Sequence, residues 1–416
     1  MPNQFKLEFT LKQHTPLIHF QHDQEGATLR ATELKPKLDK FLISKYKDEI
    51  DVFIKKTASG DEFLDYKVAV DTEDKKPVQI PSIDNFSAGN RESKISLVLA
   101  NMGRGENDKT RFSFFEEITV SIICLNKSLK DIIEKYFCQF LLRTNFGNRQ
   151  SKGFGSFYLA EHDKNYVTPH TTYHFEVSDS ISIQLELFSN INLFWRSLRS
   201  GINNGTGKSF RTTFYFKSLM FAYAKSKSVQ WEKKTIKSEL FFDILEDQKD
   251  SRNNNDTLHF ESKNKYLMKD MLGLSVQETW KSYSNAVLTK KHVVKDSSDN
   301  WINGEIERMK SPIMFKPIFN TQNNSVKVFV QVNKIPSKIR SEFFEVSNSI
   351  SSKKVKIKFA PNEYYINDFF EFLFFHQNGN YSFDLEKHVD NNFKHELEWK
   401  TLKNIINQIR KNIKYA

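Results

Sequence analysis

Cysteine is nearly absent from this chain. The two in 416 residues, Cys124 in an apolar run and Cys138 in a helical pattern, can build neither a disulfide framework nor a cysteine-rich zinc site, and both are expected to be buried, reduced thiols. No apolar run approaches the roughly 20 residues needed to cross a bilayer. The N-terminal Met1-Pro-Asn-Gln-Phe-Lys6 lacks a basic head followed by an apolar segment, so a cytoplasmic protein with no membrane partner is expected. No serine nucleophile elbow and no pair of catalytic glutamates occurs.

The most local absence is of acid. Residues 187–231 contain no Asp or Glu, where the chain average would supply about five or six. Arg196, Arg199, Lys208, Arg211, Lys217, Lys225 and Lys227 are left unopposed there, interleaved with Phe194, Trp195, Phe210, Phe214, Tyr215 and Phe216. Cations give salt-dependent affinity for phosphates and aromatic faces stack on unpaired bases, so the pattern suits single-stranded nucleic acid better than lipid. The competing reading is that the aromatics form the core stripe of helices. Over the whole chain Lys plus Arg is 62 against 51 for Asp plus Glu, giving +11 and a pI near 9.2. That balance favours a polyanionic partner. A composition rich in Lys, Asn, Ile and Phe, as an AT-biased genome would make it, accounts for part of the excess, so local charge carries more weight than the total.

Glycine is also scarce, and three of the 14 fall in one run, Asn145-Phe-Gly-Asn-Arg-Gln-Ser-Lys-Gly-Phe-Gly-Ser-Phe157. Gly147, Gly153 and Gly155 can adopt positive φ and expose backbone N–H groups, while Arg149 and Lys152 supply charge for a phosphate. Residues 128–143 before it read as an amphipathic helix with Leu129, Ile133, Tyr136, Phe137 and Phe140 on one stripe, and Phe157-Tyr-Leu159 after it reads as a strand. Nucleotide-binding glycine loops run from strand to helix. Here the order is reversed, which leaves a polyanion's backbone or a plain flexible turn.

Alternation over residues 5–11 predicts a first strand, and Thr32 opens a helix with Leu34, Leu38, Phe41 and Leu42 at helical spacing. Arg30, Lys35 and Lys37 lie on its leading edge. Strands are expected near 66–70, 95–99 and 112–125, with the turn at Arg104 between the last two. With the helix and strand flanking the glycine loop, the order is β, α, β, β, α, β, which is ferredoxin-like. Gly201-Ile-Asn-Asn-Gly-Thr-Gly-Lys-Ser209 looks like a phosphate loop but has one residue too many and follows a predicted helix, so it reads as a basic loop. A short helix is expected at 266–274; after it Lys310-Ser-Pro-Ile-Met-Phe-Lys opens a second βα unit, with strands at 326–332 and 353–359 and helices at 366–375 and 397–413. His14, His19 and His22 cluster without a carboxylate pair, too weakly for a metal site but compatible with a general base.

The combination of Thr15-Pro16, Leu29-Arg-Ala-Thr-Glu-Leu-Lys35 opening the first helix, the glycine-rich run after the second helix, and Ser311-Pro-Ile-Met-Phe315 resembles the RAMP superfamily of CRISPR-associated proteins. Within it, the chain is most similar to the family of subunit one of the type III-B Cmr effector. Pro36, Lys37 and Asp39 stand where that family usually has a glycine and arginines. The resemblance implies an α+β chain of tandem ferredoxin-like (RRM-like) domains, 1–186 with the glycine loop and 187–416 with a helical basic segment followed by a divergent ferredoxin-like unit. It implies an RNA-binding subunit, not itself a nuclease, that contacts guide RNA and target RNA near the guide's 3′ end among other effector subunits, in antiviral defence and with no cofactor. The expected contacts are Arg30, Lys35, Lys37, Gly147, Arg149, Lys152, Gly153, Gly155, Arg196, Arg199, Lys208 and Arg211. The alternatives are a metal-free guide-processing endoribonuclease of the same superfamily and a scaffold that only bridges subunits.

Overall fold

The computed structural model describes residues 4–18, 28–72, 112–178, 183–206, 211–241, 264–280, 285–320, 323–377, 380–381 and 383–414. The expected strand at 95–99, Arg104, His19, His22, Lys208, Phe210 and the asparagine-rich 252–256 lie outside them. In chain order the strands that matter below are β1 (Lys6–Gln13), β2 (Lys67–Asp71), β3 (Glu117–Ile123), β4 (Phe157–Leu159), β5 (His174–Ser178), β6 (Ile202–Thr206), β7 (Arg211–Phe216), β8 (Tyr266–Leu267), β9 (Gln277–Trp280), β10 (Ala286–Lys295), β11 (Trp301–Asn303), β12 (Ile313–Asn320), β13 (Ser325–Val332), β14 (Phe343–Asn348) and β15 (Lys354–Phe359). The longer helices are α1 (Ala31–Lys45), α2 (Lys127–Leu142), α3 (Ile183–Arg199), α4 (Leu219–Ser226), α5 (Glu232–Leu240), α6 (Ile366–Phe374) and α7 (Leu397–Lys414). None of the described helices is long and apolar enough to cross a membrane.

Contacts divide this mixed α+β chain into two units, Met1–Asn192 with Met314–Gln331, and Leu193–Ile313 with Val332–Tyr415. The first unit therefore takes back a stretch that the sequence assigns to the second domain. Its main sheet has the order β2-β3-β1-β4, antiparallel throughout, with α1 following the first strand and α2 the third. The alternation of β1 and β3 sends Leu7, Phe9, Leu11, Ile118, Val120 and Ile122 into one face. There they meet Leu34, Leu38 and Leu42 of α1 and Ile133, Phe137 and Phe140 of α2, the 3.6-residue stripes of both helices. The Asn126 side chain caps α2 by accepting the Leu129 N–H at 3.0 Å, a contact worth about 1 kcal/mol. Cys124 and Cys138 are free and buried in this core, and burial pushes both thiols up. A second sheet, β12-β13-β5, completes the unit.

The second unit's main sheet follows a different path, β8-β15-β14-β10-β9, with β11 on the end of β10. β14, β15 and β10 are joined antiparallel. The expected grouping of 310–318, 326–332 and 353–359 thus separates: β12 and β13 do pair, but β15 belongs to this other sheet. The acid-free segment is not purely helical either. It is the C-terminal part of α3, the antiparallel pair β6 and β7, and α4, with residues 202–206 of the phosphate-loop lookalike forming β6. Phe194, Phe214 and Phe216 are core residues. Residues 266–274 form β8 and a 3-10 turn, Lys269–Leu272, in place of the expected helix, because Lys269 and Asp270 turn inward to charged partners.

Candidate nucleic-acid interface

The glycine-rich run is held on every side within the first unit. Asn145, Phe146 and Gly147 are buried, as are residues 153–157, while residues 148–152 form a half-exposed crest. Gly155 has φ +64° and an added Cβ would lie 2.0 Å from the Phe146 oxygen; at Gly147 (φ +70°) it would lie 2.5 Å from the Ile18 oxygen. Only glycine fits such approaches. Their N–H groups are not offered outward, as the sequence suggested. Gly147 donates to Glu33 Oε1 at 2.9 Å, Gly153 to the Gln150 oxygen at 3.2 Å and Gly155 to the Pro16 oxygen at 2.8 Å. A close-packed turn satisfies its own backbone. The glycines shape the loop, and the charge it presents is that of Arg149 and Lys152.

Side chains complete the fastening. The Thr15 hydroxyl donates to the Gly153 oxygen at 2.6 Å and accepts the Ser156 N–H at 2.9 Å. Asn145 Nδ2 donates to the oxygens of Gln150 (2.8 Å) and Phe315 (2.7 Å). Lys316, buried on β12, donates to the carbonyls of Thr144 (2.8 Å) and Phe157 (2.7 Å), the residues just before and at the end of the run. Burial, followed by the charge of Lys37, holds this ammonium well below the usual lysine range. Neither Lys316 nor Glu33 was singled out from sequence. The signal for Lys316 was a lone lysine inside Ile-Met-Phe-Lys-Pro-Ile-Phe; for Glu33 it was a place in the Leu29–Lys35 stretch and the i,i+4 spacing to Lys37, neither of which points to Gly147, 114 positions away.

At the crest Arg149 has φ +54°, ψ +31°, a left-handed conformation that a non-glycine residue adopts at a cost of roughly 1–2 kcal/mol. Partial burial depresses its guanidinium pKa. Arg30 is exposed at the N-cap position of α1. Lys35 and Lys37 lie differently from expectation. Lys35 Nζ is held by Asp39 (2.7 Å) and the Leu64 oxygen (3.0 Å), and Lys37 Nζ by Glu33 (2.6 Å) and the Asn145 oxygen (2.9 Å). Both act as half-exposed fasteners, each paired with a carboxylate one turn away on α1 and with a carbonyl of another segment.

In the second unit, Arg199 is likewise paired: Nη2 lies 3.5 Å from Asp270 Oδ1 and donates to the Gly273 oxygen at 3.0 Å. Asp270 also accepts from Lys290, and Lys269 pairs with Glu278 at 2.5 Å, in a buried ionic cluster that includes Glu232. Burial, with Asp270 nearby, pushes the Glu232 carboxyl up to about 7. Arg196 donates to Asn204 at 3.3 Å, and Asn204 in turn donates to Glu398 at 3.1 Å. Lys208 and the side chain of Arg211 lie outside the described residues. His14 is buried at 3 % exposure, its Nδ1 accepting the Phe319 N–H at 3.0 Å. Burial keeps it neutral, well below the usual imidazole range.

Comparison with known protein families returns two adjoining matches. The Cmr1 N-terminal domain matches residues 4–202 and the Cmr1 C-terminal domain matches residues 215–411. No curated protein and no solved structure matches the chain.

Proposed function

The chain belongs to the Cmr1 family of type III-B CRISPR effector subunits, and on that premise we propose that it binds the effector's guide and target RNA in antiviral defence without cleaving either. The carrying observation is the crest at 148–152, where a strained Arg149 and Lys152 are presented by a loop whose three glycine N–H groups are already satisfied. Strain at a residue over-determined by its surroundings is a mark of a working site. A pre-organised pair of cations loses little freedom on meeting a phosphate backbone, and such contacts position RNA without reading its sequence. The strand order of the first unit supports a ferredoxin-like platform for this loop, and the N-terminal family match covers it whole. The second unit is read as a divergent partner domain of the same superfamily. Absence of cleavage is supported by the burial of His14, which keeps its imidazole from a substrate hydroxyl.

Changing Arg149 and Lys152 together to Ala is expected to weaken single-stranded RNA binding across sequences and to lower the log–log salt slope by about 1.4, at roughly 0.7 per phosphate contact. Unchanged binding and slope remove the crest from the site. Incubation with repeat-containing guide precursor in chelator is expected to leave it intact; site-specific cuts abolished by His14→Ala establish the endoribonuclease alternative instead.

A further inference from the structure

The main sheet of the second unit has two faces of opposite character. Alternation buries Leu288, Lys290, Phe344, Val346, Ile357 and Phe359 on one of them. On the other, register aligns Lys291 with Glu345 and Lys356, and Val293 with Phe343 and Lys358. Lys295 and its cross-strand partner Trp301 stand at the β11 end of the same face. Trp301 and Phe343 are half-buried and meet edge to face, with centroids 5.1 Å apart and planes at 73°. Lys356 Nζ lies 5.0 Å and Lys295 Nζ 5.6 Å from the indole centroid, and Lys358 Nζ lies 5.1 Å from that of Phe343.

Two of the lysines here have carboxylate partners, Lys295 with Asp299 at 2.5 Å and Lys354 with Glu345 at 2.9 Å. Among the described residues Lys291, Lys356 and Lys358 have none. A strand lysine usually does no more than keep an edge soluble, and a half-buried tryptophan usually does no more than pack. What exceeds that here is their conjunction: two half-buried rings with Lys356 and Lys358 over them, and Lys291 on the same antiparallel face across Glu345 from Lys356. On β1, β2 and β3 of the first unit's sheet, the positions facing away from its core, Glu8, Thr10, Thr119, Ser121 and Ala69, carry no ring. The core of a protein interface is depleted in lysine, whereas unpaired bases seek rings and their phosphates seek cations.

We propose that this face is a second RNA-contacting surface, a stacking platform for single-stranded RNA in which Trp301 and Phe343 receive bases and Lys291, Lys356 and Lys358 receive phosphates. The lysines over the rings hold an exposed site of this kind loosely, because a cation–π contact in water is weak and is readily exchanged for a phosphate and a stacked base. The proposal stands on the second unit alone and does not depend on the glycine loop.

The test uses the full chain and a 12-nucleotide oligouridylate, with a 12-base-pair duplex as control, followed by fluorescence anisotropy across a salt series. Trp301→Ala is expected to weaken single-strand binding about tenfold while duplex binding is unaffected, and Trp301→Phe to recover most of the loss. Lys291→Ala with Lys356→Ala and Lys358→Ala is expected to lower the salt slope by about two, whether or not Arg149 and Lys152 are intact. Because the lysine changes lie on exposed or half-exposed positions, they decide the matter even where Trp301→Ala fails to fold. If the folded lysine variant keeps wild-type affinity and slope, the platform is refuted; if it binds RNA normally but no longer joins other effector subunits, the face is a protein interface and the proposal is equally refuted. Loss of binding by the Arg149 and Lys152 variant alone sinks this inference and leaves the crest standing, and the converse result does the reverse.

Discussion

Glu33 Oε1 accepts the Gly147 N–H at 2.9 Å, joining the first turn of α1 to a loop 114 positions later. The same oxygen takes the Lys37 ammonium at 2.6 Å. Glu33→Ala leaves a buried N–H without its acceptor and the Lys37 ammonium with only the Asn145 oxygen, which costs about 1–3 kcal/mol. Glu33→Gln keeps a carbonyl oxygen for Gly147 and is expected to cost less. Urea denaturation measures the difference, and hydrogen exchange at Gly147 locates it; equal protection in wild type and Glu33→Ala would show that the contact does not hold the loop.

Two glycines with similar backbones separate strain from collision. Gly60 has φ +88° with nothing within 4 Å of an added Cβ, whereas at Gly155 that atom would meet the Phe146 oxygen at 2.0 Å. Gly60→Ala is expected to cost about 1–2 kcal/mol, the left-handed penalty alone. Gly155→Ala is expected to cost more than about 3 kcal/mol and to weaken RNA binding as the Arg149 and Lys152 double variant does, through the displaced crest. Comparable denaturation midpoints for the two variants would contradict the packing described.

Arg199 was expected to meet RNA and is instead paired with Asp270. Arg199→Ala should therefore destabilise the chain by about 2–4 kcal/mol, since it removes one partner of a buried carboxylate. The RNA salt slope should not change. A slope reduced by about 0.7 without loss of stability would return Arg199 to the RNA track.

His388 supplies a pH dependence of known sign. Its ring lies 5.0 Å from those of Phe216 and of Phe383, and Nε2 donates to the Lys217 oxygen at 2.8 Å. Burial pushes its pKa down to about 4 from the usual 6.5. The folded state favours neutral imidazole, so the stability linked to this group is complete above about pH 6.5 and is lost as pH falls through about 4. Relative to His388→Gln, the wild type should lose about 2 kcal/mol between pH 7 and pH 5. Parallel stability profiles for the two proteins would show that His388 titrates normally.

Elements with strong local periodicity were legible in the sequence. The stripe over 128–143 matches α2 at Lys127–Leu142, Phe157-Tyr-Leu159 matches β4, and the helices expected at 366–375 and 397–413 match α6 and α7 within one residue. What escaped was set by contacts distant in sequence. Residues 266–274 have a helical rhythm, yet Lys269 and Asp270 turn inward to partners on α5, β9 and β10. At the candidate site, the glycines were visible and their role was not. Scarcity of glycine locates a tight turn, but only packing shows whether the freed N–H groups face a ligand or, as at Gly155 and Pro16, the protein. The cations divided in the same way: Arg149 lies on the half-exposed crest, Lys35 and Lys37 pair with carboxylates one helical turn away, a spacing visible in the sequence, and Arg199 meets Asp270, 71 positions on, a pairing the sequence does not announce.

Lys316 reaches the loop from a strand that the ribosome makes more than 150 residues later. Until Met314–Gln331 has been synthesised, the carbonyls of Thr144 and Phe157 lack their ammonium, Asn145 lacks the Phe315 oxygen, and β5 has no β13 to pair with. The nascent first unit must therefore wait, with an open strand edge and a loosely held crest, while most of the second unit's chain emerges. A chain stopped at residue 202, where the N-terminal family match ends, would carry every residue of the glycine-rich run with its Thr15 and Glu33 contacts and still lack the Phe315 and Lys316 contacts that complete its fastening.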